Sequence, residues 1–222
     1  MRLLAAILFV IAWSCAGRAE EGSTVPIVYL GLAPKPQPST LLEPAPADEG
    51  LQGARLAIGD NETTGRFTGQ HFALQENIAP NPAAAVEAAK QALAQGRKLL
   101  VTDLPAETLL AVADLPGAKD ALLLDATSED DALRGAQCRR NVLHLLPSDA
   151  MRADALMQYL TVKRWRDILL VTGPTDADRK LGDALRRSAR KFQLRLAADK
   201  PWQFKPGAQR TDTGHVGIAG MT

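Results

Sequence analysis

The sequence predicts an α/β protein in which a doubly wound parallel sheet is followed by a second, incomplete α/β unit. Short apolar runs of four to six residues alternate with helical patterns from Pro26 onward. These runs lack the alternation of a half-exposed strand, as strands of a parallel sheet do when helices cover both faces. Aromatic residues make up only 5% of the chain, which disfavours an all-β sandwich.

Residues 1–19 have the features of a cleaved secretion signal. A basic residue begins the segment, and the apolar run over residues 3–13 is shorter than the ~20 residues that a membrane-spanning helix needs. Gly17 and Ala19 place small residues at the two positions that a signal peptidase reads. We therefore expect export and cleavage after Ala19. Acylation of Cys15 and an uncleaved anchor are the weaker alternatives.

Residues 20–146 are predicted to form a first α/β lobe with five parallel strands. The strands are expected at residues 27–32, 70–74, 98–102, 121–125 and 142–146. The first helix begins near Ala47, has apolar residues three and four positions apart, and ends at Gly65. The second begins at Pro82, because a fixed φ and a missing N–H suit the first turn of a helix. The third covers residues 105–113.

Residues 147–222 are predicted to form a second α/β lobe that is incomplete. Its first helix has apolar residues three and four positions apart and can be capped by Ser148 or Asp149. A buried strand follows at residues 167–172, and a further helical stripe comes after it. Residues 193–196 open one more strand that is not expected to continue, and the remaining tail is irregular.

The charge of the mature chain gives no support for binding to nucleic acid or an anionic membrane, and its cysteine content excludes an internal disulfide. Without Arg2 and Arg18, 24 basic side chains stand against 25 acidic ones, a net charge of −1. This balance gives no electrostatic basis for binding nucleic acid or an anionic membrane. Only Cys138 remains after signal removal, so an internal disulfide is impossible and core burial must hold the fold.

The sequence contains no recognisable catalytic motif, so an enzyme is not the first expectation. G-x-S-x-G, G-x-G-x-x-G, G-x-x-x-x-G-K-[ST] and H-E-x-x-H are all absent from it. His71, His144 and His215 are scattered, and His144 lies within an apolar run, where a structural role is expected. An exported enzyme with Asp103 or Asp125 as base would lack a partner group. No cofactor is expected.

Four acidic residues lie at and after the predicted fourth strand. They are Asp125, Glu129, Asp130 and Asp131. A calcium or lanthanide site is chemically possible there, because hard cations bind several oxygen ligands. A capped, solvated helix start explains the same residues without a metal, since acidic side chains are stabilised at a helix N-terminus. The second interpretation is favoured, and no metal site is predicted.

Polar residues follow the third and fourth strands, at the carboxyl ends where open α/β sheets bind ligands. Thr102 and Asp103 follow the third strand, and Asp125, Ala126 and Thr127 follow the fourth. Hydroxyls and exposed backbone amides in such loops suit a small polar or carboxylate-bearing ligand. These five residues are the predicted ligand-binding set, with an ordinary loop or cap role as the alternative for each.

Several segments resemble type 1 periplasmic binding proteins of the branched-chain amino acid transport class. Residues 50–66 (GLQGARLAIGDNETTGR) resemble that family's first helix and glycine turn, and residues 125–149 (DATSEDDALRGAQCRRNVLHLLPSD) its fourth-strand loop and crossing to the second lobe. Residues 167–185 (DILLVTGPTDADRKLGDAL) resemble the second lobe's first strand and helix. Residues 56–74 (LAIGDNETTGRFTGQHFAL) and 200–215 (KPWQFKPGAQRTDTGH) resemble a branch associated with PQQ-dependent alcohol dehydrogenase systems.

The resemblance implies a type 1 periplasmic-binding-protein fold, a periplasmic location and no enzymatic activity. A solute would lie between two lobes, and Ala126 and Thr127 match the loop that holds the charged ends of an amino-acid ligand in that family. Thr102 and Asp103 match the family's serine-rich stretch. Asp125 departs from the family pattern, because the amino-acid binders usually have a small residue there.

The resemblance also implies partners. These are a small polar solute, the membrane component of an ABC transporter, and a PQQ-dependent dehydrogenase that the transport system serves. An accessory or sensor protein that binds a dehydrogenase or receptor, instead of a transported solute, is the alternative. The resembling proteins continue well beyond the length of this chain, and residues 216–222 (VGIAGMT) have no helix or strand pattern. A C-terminally truncated chain is therefore expected, with a non-functional fragment as a further alternative.

Overall fold

The computed structural model describes residues 22–34, 46 and 48–202, which form two α/β units. The strands are β1 (Ser23–Leu32), β2 (Gln70–Ala79), β3 (Leu99–Asp103), β4 (Leu122–Asp125), β5 (Val142–His144), β6 (Asp167–Thr172) and β7 (Arg195–Pro201). The helices are α1 (Glu49–Thr68), α2 (Pro82–Ala94), α3 (Ala106–Ala113), α4 (Asp149–Val162) and α5 (Asp176–Lys191), with 3₁₀ helices at Pro116–Asp120 and Asp131–Arg134. The predicted signal peptide and the tail from residue 203 lie outside the described residues.

Five parallel strands form the sheet of the first unit in the order β2-β1-β3-β4-β5. The register pairs Gly31 with Asp103 and Thr102 with Asp125, so the carboxyl ends of β1, β3 and β4 meet at one edge. Helix α1 lies on one face of the sheet, and α2 and α3 lie on the other. The predicted doubly wound parallel sheet is confirmed.

The face of the sheet towards α2 and α3 holds the main hydrophobic core. Val28 and Leu30 of β1, Leu100 of β3 and Leu123 of β4 are fully buried there. They pack with apolar side chains of both helices, including Leu109 of α3. Full burial of one such side chain contributes about 1.5–3 kcal/mol, so this face is the main source of stability in the first unit.

The opposite face of the sheet, the α1-side face, is covered less completely. Ile27, Leu99 and Val101 belong to this face and are only half-buried. Together with α1, Ile27 and Val101 line a cavity of about 570 Å³. On the edge strand β5, Leu143 is 52% exposed. These four side chains are therefore less completely packed than those facing α2 and α3, whereas Tyr29 of the same face is buried.

Helix α1 ends later than predicted. It continues past Gly65 to Thr68, and Gly69 caps it with φ +66°, the left-handed conformation that glycine adopts at low cost. Gly65 lies instead where α1 approaches β2, because a Cβ there would clash with the carbonyl oxygen of Gln70. The prediction that Gly65 ends the helix is therefore wrong, because Gly65 is needed for close packing and Gly69 ends the helix.

The strand ends also differ from the predictions. Strand β2 continues to Ala79, five residues beyond its predicted end, although its second half contains Glu76 and Asn77. As an edge strand it exposes polar side chains, and Glu76 forms an ion pair with Arg55 of α1 at 2.6 Å. Strand β5 is shorter than predicted, because its pairing with β4 stops at His144.

Strands β6 and β7 pair in parallel in the second unit, and α4 and α5 pack against each other. Ser148 caps α4 by accepting from the Met151 N–H, which decides between the two predicted caps. Strand β6 has the predicted bounds, whereas β7 continues well beyond the predicted opening. In the part of the chain that the structure describes, no helix is long and apolar enough to cross a membrane.

Candidate functional site

The segment after β4, residues 126–128, is called the β4 loop below, and it is held by the side chain of Asp125. This carboxylate accepts hydrogen bonds from the N–H groups of Thr127 (3.3 Å) and Ser128 (2.9 Å) through Oδ1. Its Oδ2 is hydrogen-bonded to Nδ1 of His144 at 2.7 Å. Asp125 is 1% exposed, so its side chain bonds to groups within the fold.

Thr102 holds the same loop from the neighbouring strand. Its carbonyl oxygen accepts from the Ala126 N–H at 3.0 Å, and its hydroxyl donates to the carbonyl oxygen of Leu124 at 3.3 Å. Thr102 is fully buried. Strand pairing and burial make both Thr102 and Asp125 supports of the β4 loop. A contact of either side chain with a solute stays a prediction.

Asp103, Ala126 and Thr127 are brought together at the carboxyl edge of the sheet. All three line the cavity beneath α1, whose other walls are largely apolar. Oδ2 of Asp103 accepts from the Tyr29 hydroxyl at 2.7 Å. Burial, followed by this hydrogen bond and the negative charge of Asp103, raises the pKa of the Tyr29 hydroxyl far above its ordinary value. Tyr29 therefore stays neutral and donates to Asp103.

A second cavity, of about 420 Å³, lies between the two units and is called the cleft below. It is lined by the β4 loop, the start of α4 and the first two turns of α5, with Ala106 of α3. Thr127 lines both cavities and is exposed, so its hydroxyl can reach a molecule in either. Cavities of this size at the carboxyl ends of parallel strands are typical ligand sites.

The cleft walls carry more acidic than basic side chains. The acids are Glu129, Asp130, Asp149, Asp176 and Asp178, and the bases are Arg152 and Lys180. Both bases already have acidic partners, because Arg152 pairs with Glu129, and Lys180 contacts Asp130 at 2.6 Å. The hydrogen bond from Lys180 and one from a backbone N–H lower the pKa of Asp130. Burial and the neighbouring negative charge of Glu129 raise the pKa of Asp149.

The predicted acidic cluster connects the two units. The Ala150 N–H at the start of α4 donates to Asp131 Oδ1 at 2.8 Å, and Arg187 of α5 pairs with Asp131 Oδ2 at 2.8 Å. The carbonyl oxygen of Glu129 accepts from the Asp149 N–H at 2.9 Å. Within the described residues, no group of three or more His, Cys, Asp or Glu side chains is arranged to hold a metal ion. These acids contact helix starts and basic side chains.

Sequence reasoning missed two residues of this region, Arg152 and Lys180, and it missed the pairing of His144 with Asp125. A histidine in an apolar run predicts core burial, and its partner Asp125 lies 19 residues away, so local patterns do not reveal the pair. Lys180 lies in the second turn of α5, and its place in the cleft depends on how the two units meet.

The comparisons with known proteins point in one direction. A sequence model of the family described as periplasmic binding protein matches residues 44–209. No curated protein matches the chain. Among solved structures, an ABC transporter substrate-binding protein from Desulfitobacterium hafniense in complex with Leu is 16% identical, with a TM-score of 0.60 over 82% of this chain and 51% of that one.

Two further structures show the same similarity. A leucine-, isoleucine-, valine-, threonine- and alanine-binding protein from Brucella ovis, in its closed conformation, is 17% identical, with a TM-score of 0.62 over 85% of this chain and 49% of that one. A branched-chain amino acid ABC transporter periplasmic ligand-binding protein from Burkholderia xenovorans is also 17% identical, with a TM-score of 0.62 over 82% and 47%. This chain spans about half the length of these structures. The predicted type 1 periplasmic-binding-protein fold is confirmed.

Proposed function

Because the chain belongs to the periplasmic binding protein family, we propose that it is the solute-binding component of an ABC-type transport system. It holds a small polar solute, and it catalyses no reaction. The observation that carries this proposal is the cleft of about 420 Å³, which opens at the carboxyl ends of the strands and is walled by both units. Binding between two units is the basis of hinge closure around a ligand.

Thr127 is the proposed direct contact of the solute, with Ala126 and Asp103 beside it. Thr127 is exposed and lines the cleft, whereas Ala126 and Asp103 border the adjoining cavity under α1. Thr102 and Asp125 hold the β4 loop in place from below. In this division Thr102 and Asp125 support the loop, and the exposed Thr127 hydroxyl is available to the solute.

The solute is proposed to be of amino-acid size. The Desulfitobacterium protein is in complex with Leu, and the Brucella protein is named for the five small amino acids that it binds. A cavity of about 420 Å³ has room for molecules of this kind. The family likeness thus suggests the size of the solute, and the side chains of the cleft decide its chemistry.

The partners proposed for the transport system are the membrane component of an ABC transporter and a PQQ-dependent alcohol dehydrogenase system. The second rests on the phrases LAIGDNETTGRFTGQHFAL and KPWQFKPGAQRTDTGH, which resemble the associated branch. Expression that rises together with the dehydrogenase during growth on alcohols would support it. Expression that does not respond to alcohols would contradict it.

Export to the periplasm and cleavage after Ala19 are proposed from residues 1–19. N-terminal sequencing of the exported protein is expected to begin at Glu20. A chain that retains Met1, or one that is acylated at Cys15, would contradict this cleavage.

Calorimetric titration of the purified exported chain tests the proposed function. The panel contains the small L-amino acids together with their amino-alcohol and amine analogues. Saturable binding of at least one compound is expected. At a free ligand concentration about one hundred times the Kd, the bound ligand should also raise the free energy of unfolding by about 2.7 kcal/mol. If no compound binds and a dehydrogenase co-purifies with the chain, the accessory-protein alternative replaces this proposal.

The Thr127→Ala variant is expected to bind the solute about fivefold more weakly. This corresponds to about 1 kcal/mol, the net contribution of one neutral hydrogen bond. Thr127→Ser keeps the hydroxyl and serves as the matched control, so its affinity is expected to stay close to that of the unchanged chain. Equal affinities of all three forms in the same titration would remove Thr127 from the site.

A further inference from the structure

The β4 loop faces the cleft without backbone N–H groups that could bind an anion. The Ala126 N–H donates to the Thr102 carbonyl oxygen, and the N–H groups of Thr127 and Ser128 both donate to Oδ1 of Asp125. All three donors of this described loop therefore point into the fold. The donors that the loop can still offer to the cleft are the hydroxyls of Thr127 and Ser128.

The charged side chains around the loop also disfavour the binding of an anion. Glu129 and Asp130 follow the loop directly and line the cleft. The two basic side chains of the cleft, Arg152 and Lys180, pair with these same two acids. A carboxylate that binds Arg152 or Lys180 would have to displace an existing ion pair, and it would approach further acidic groups with a Coulomb cost at short distance.

We infer that the solute presents a hydroxyl or an ammonium group to the β4 loop and has no free carboxylate, and that Asp125 determines this specificity. The inference rests on the proposed function and narrows its solute class. Asp125 acts without contacting the solute, because its buried carboxylate accepts hydrogen bonds from two loop N–H groups and keeps them from the cleft. A residue without an acceptor at this position would release those donors, and free amide N–H groups bind carboxylates well.

L-leucine and L-leucinol are the matched probes, because they differ only in a carboxylate against a hydroxymethyl group. Titration of the full chain is expected to give leucinol an affinity about tenfold higher than that of leucine. In Asp125→Ala the ratio of the leucinol affinity to the leucine affinity is expected to fall about tenfold. In Asp125→Asn this ratio should change less, because the amide oxygen can still accept from the loop. Asp120→Ala, an exposed acid outside the cleft, is the control and should keep the original ratio.

A second measurement does not depend on any solute. Amide hydrogen exchange of Thr127 and Ser128 is expected to be slow in the unchanged chain and in Asp125→Asn, and fast in Asp125→Ala. Tighter binding of leucine than of leucinol by the unchanged chain would overturn the inference and leave the proposed function standing. If neither probe nor any panel compound binds, the proposed function fails. Fast exchange of both amides in the unchanged chain would by itself overturn the assignment to Asp125.

Discussion

Replacing His144 by Leu is expected to lower the free energy of unfolding by about 3 kcal/mol. The change removes the hydrogen bond from Nδ1 to the carboxylate of Asp125, whose side chain has no exposed surface. A buried carboxylate that loses its partner keeps the cost of leaving water and loses part of the compensation. The two remaining N–H donors from the β4 loop replace only a part of it.

Urea denaturation followed by circular dichroism measures this effect, and His71→Leu is the matched control. His71 also bonds a carboxylate, that of Glu62 at 3.0 Å, but its side chain is 65% exposed. Pairs in contact with water contribute between about 0 and 1 kcal/mol, so the control should lose less than about 1 kcal/mol. Equal losses in the two variants would show that burial does not strengthen the His144 contact.

A double variant separates the lost hydrogen bond from the unpaired charge. In Asp125→Asn/His144→Leu the buried side chain is neutral, and its oxygen can still accept from the loop amides. We expect this form to recover part of the stability that His144→Leu loses. No recovery would mean that the packing of the histidine ring, and not the charge of Asp125, explains the loss.

The sequence predicted the elements whose environment is uniform. Strands β3 and β4 differ from their predicted bounds by one residue at their ends, because strands inside a parallel sheet are largely apolar. Strand β6 has its predicted bounds, but the prediction that it is buried is wrong, because Leu169 is 59% and Val171 42% exposed. The edge strands β2 and β7 were predicted too short. Their polar residues face solvent or pair with side chains of helices, as Glu76 does with Arg55 and Asp199 with Arg186. A prediction from local hydrophobicity does not detect such ion pairs.

The position of the candidate site follows from a topological rule, and its contacts do not. The rule places a site at the carboxyl ends of β3 and β4, where Thr127 lines the cleft, and its role as a ligand contact stays a prediction. The rule does not say which way a side chain points. Thr102 and Asp125 turn inward because they occupy register positions facing the buried side of the sheet. The contribution of α5, through Lys180, depends on how the two units meet, which no local pattern encodes.

Leu100→Ala is expected to lower the free energy of unfolding by about 3 kcal/mol, and Leu99→Ala by about 1 kcal/mol. The two residues are neighbours in β3, so strand, substitution and lost volume are the same, and only the face of the sheet differs. Leu100 is fully buried against α2 and α3 in the main core. Leu99 belongs to the α1-side face, where side chains are half-buried and a cavity of about 570 Å³ remains under the helix.

The difference between the two variants, measured by urea denaturation of the full chain, tests how the first unit is stabilised. A deleted side chain costs its transfer free energy and an additional amount for the cavity left in close-packed surroundings. Around Leu100 the surroundings are close-packed, because Val28, Leu30 and Leu123 are fully buried beside it. On the α1-side face packing is already incomplete, so the free-energy cost of a new cavity should be small there. Equal losses at both positions would contradict this and would require a covering element on the α1-side face in solution.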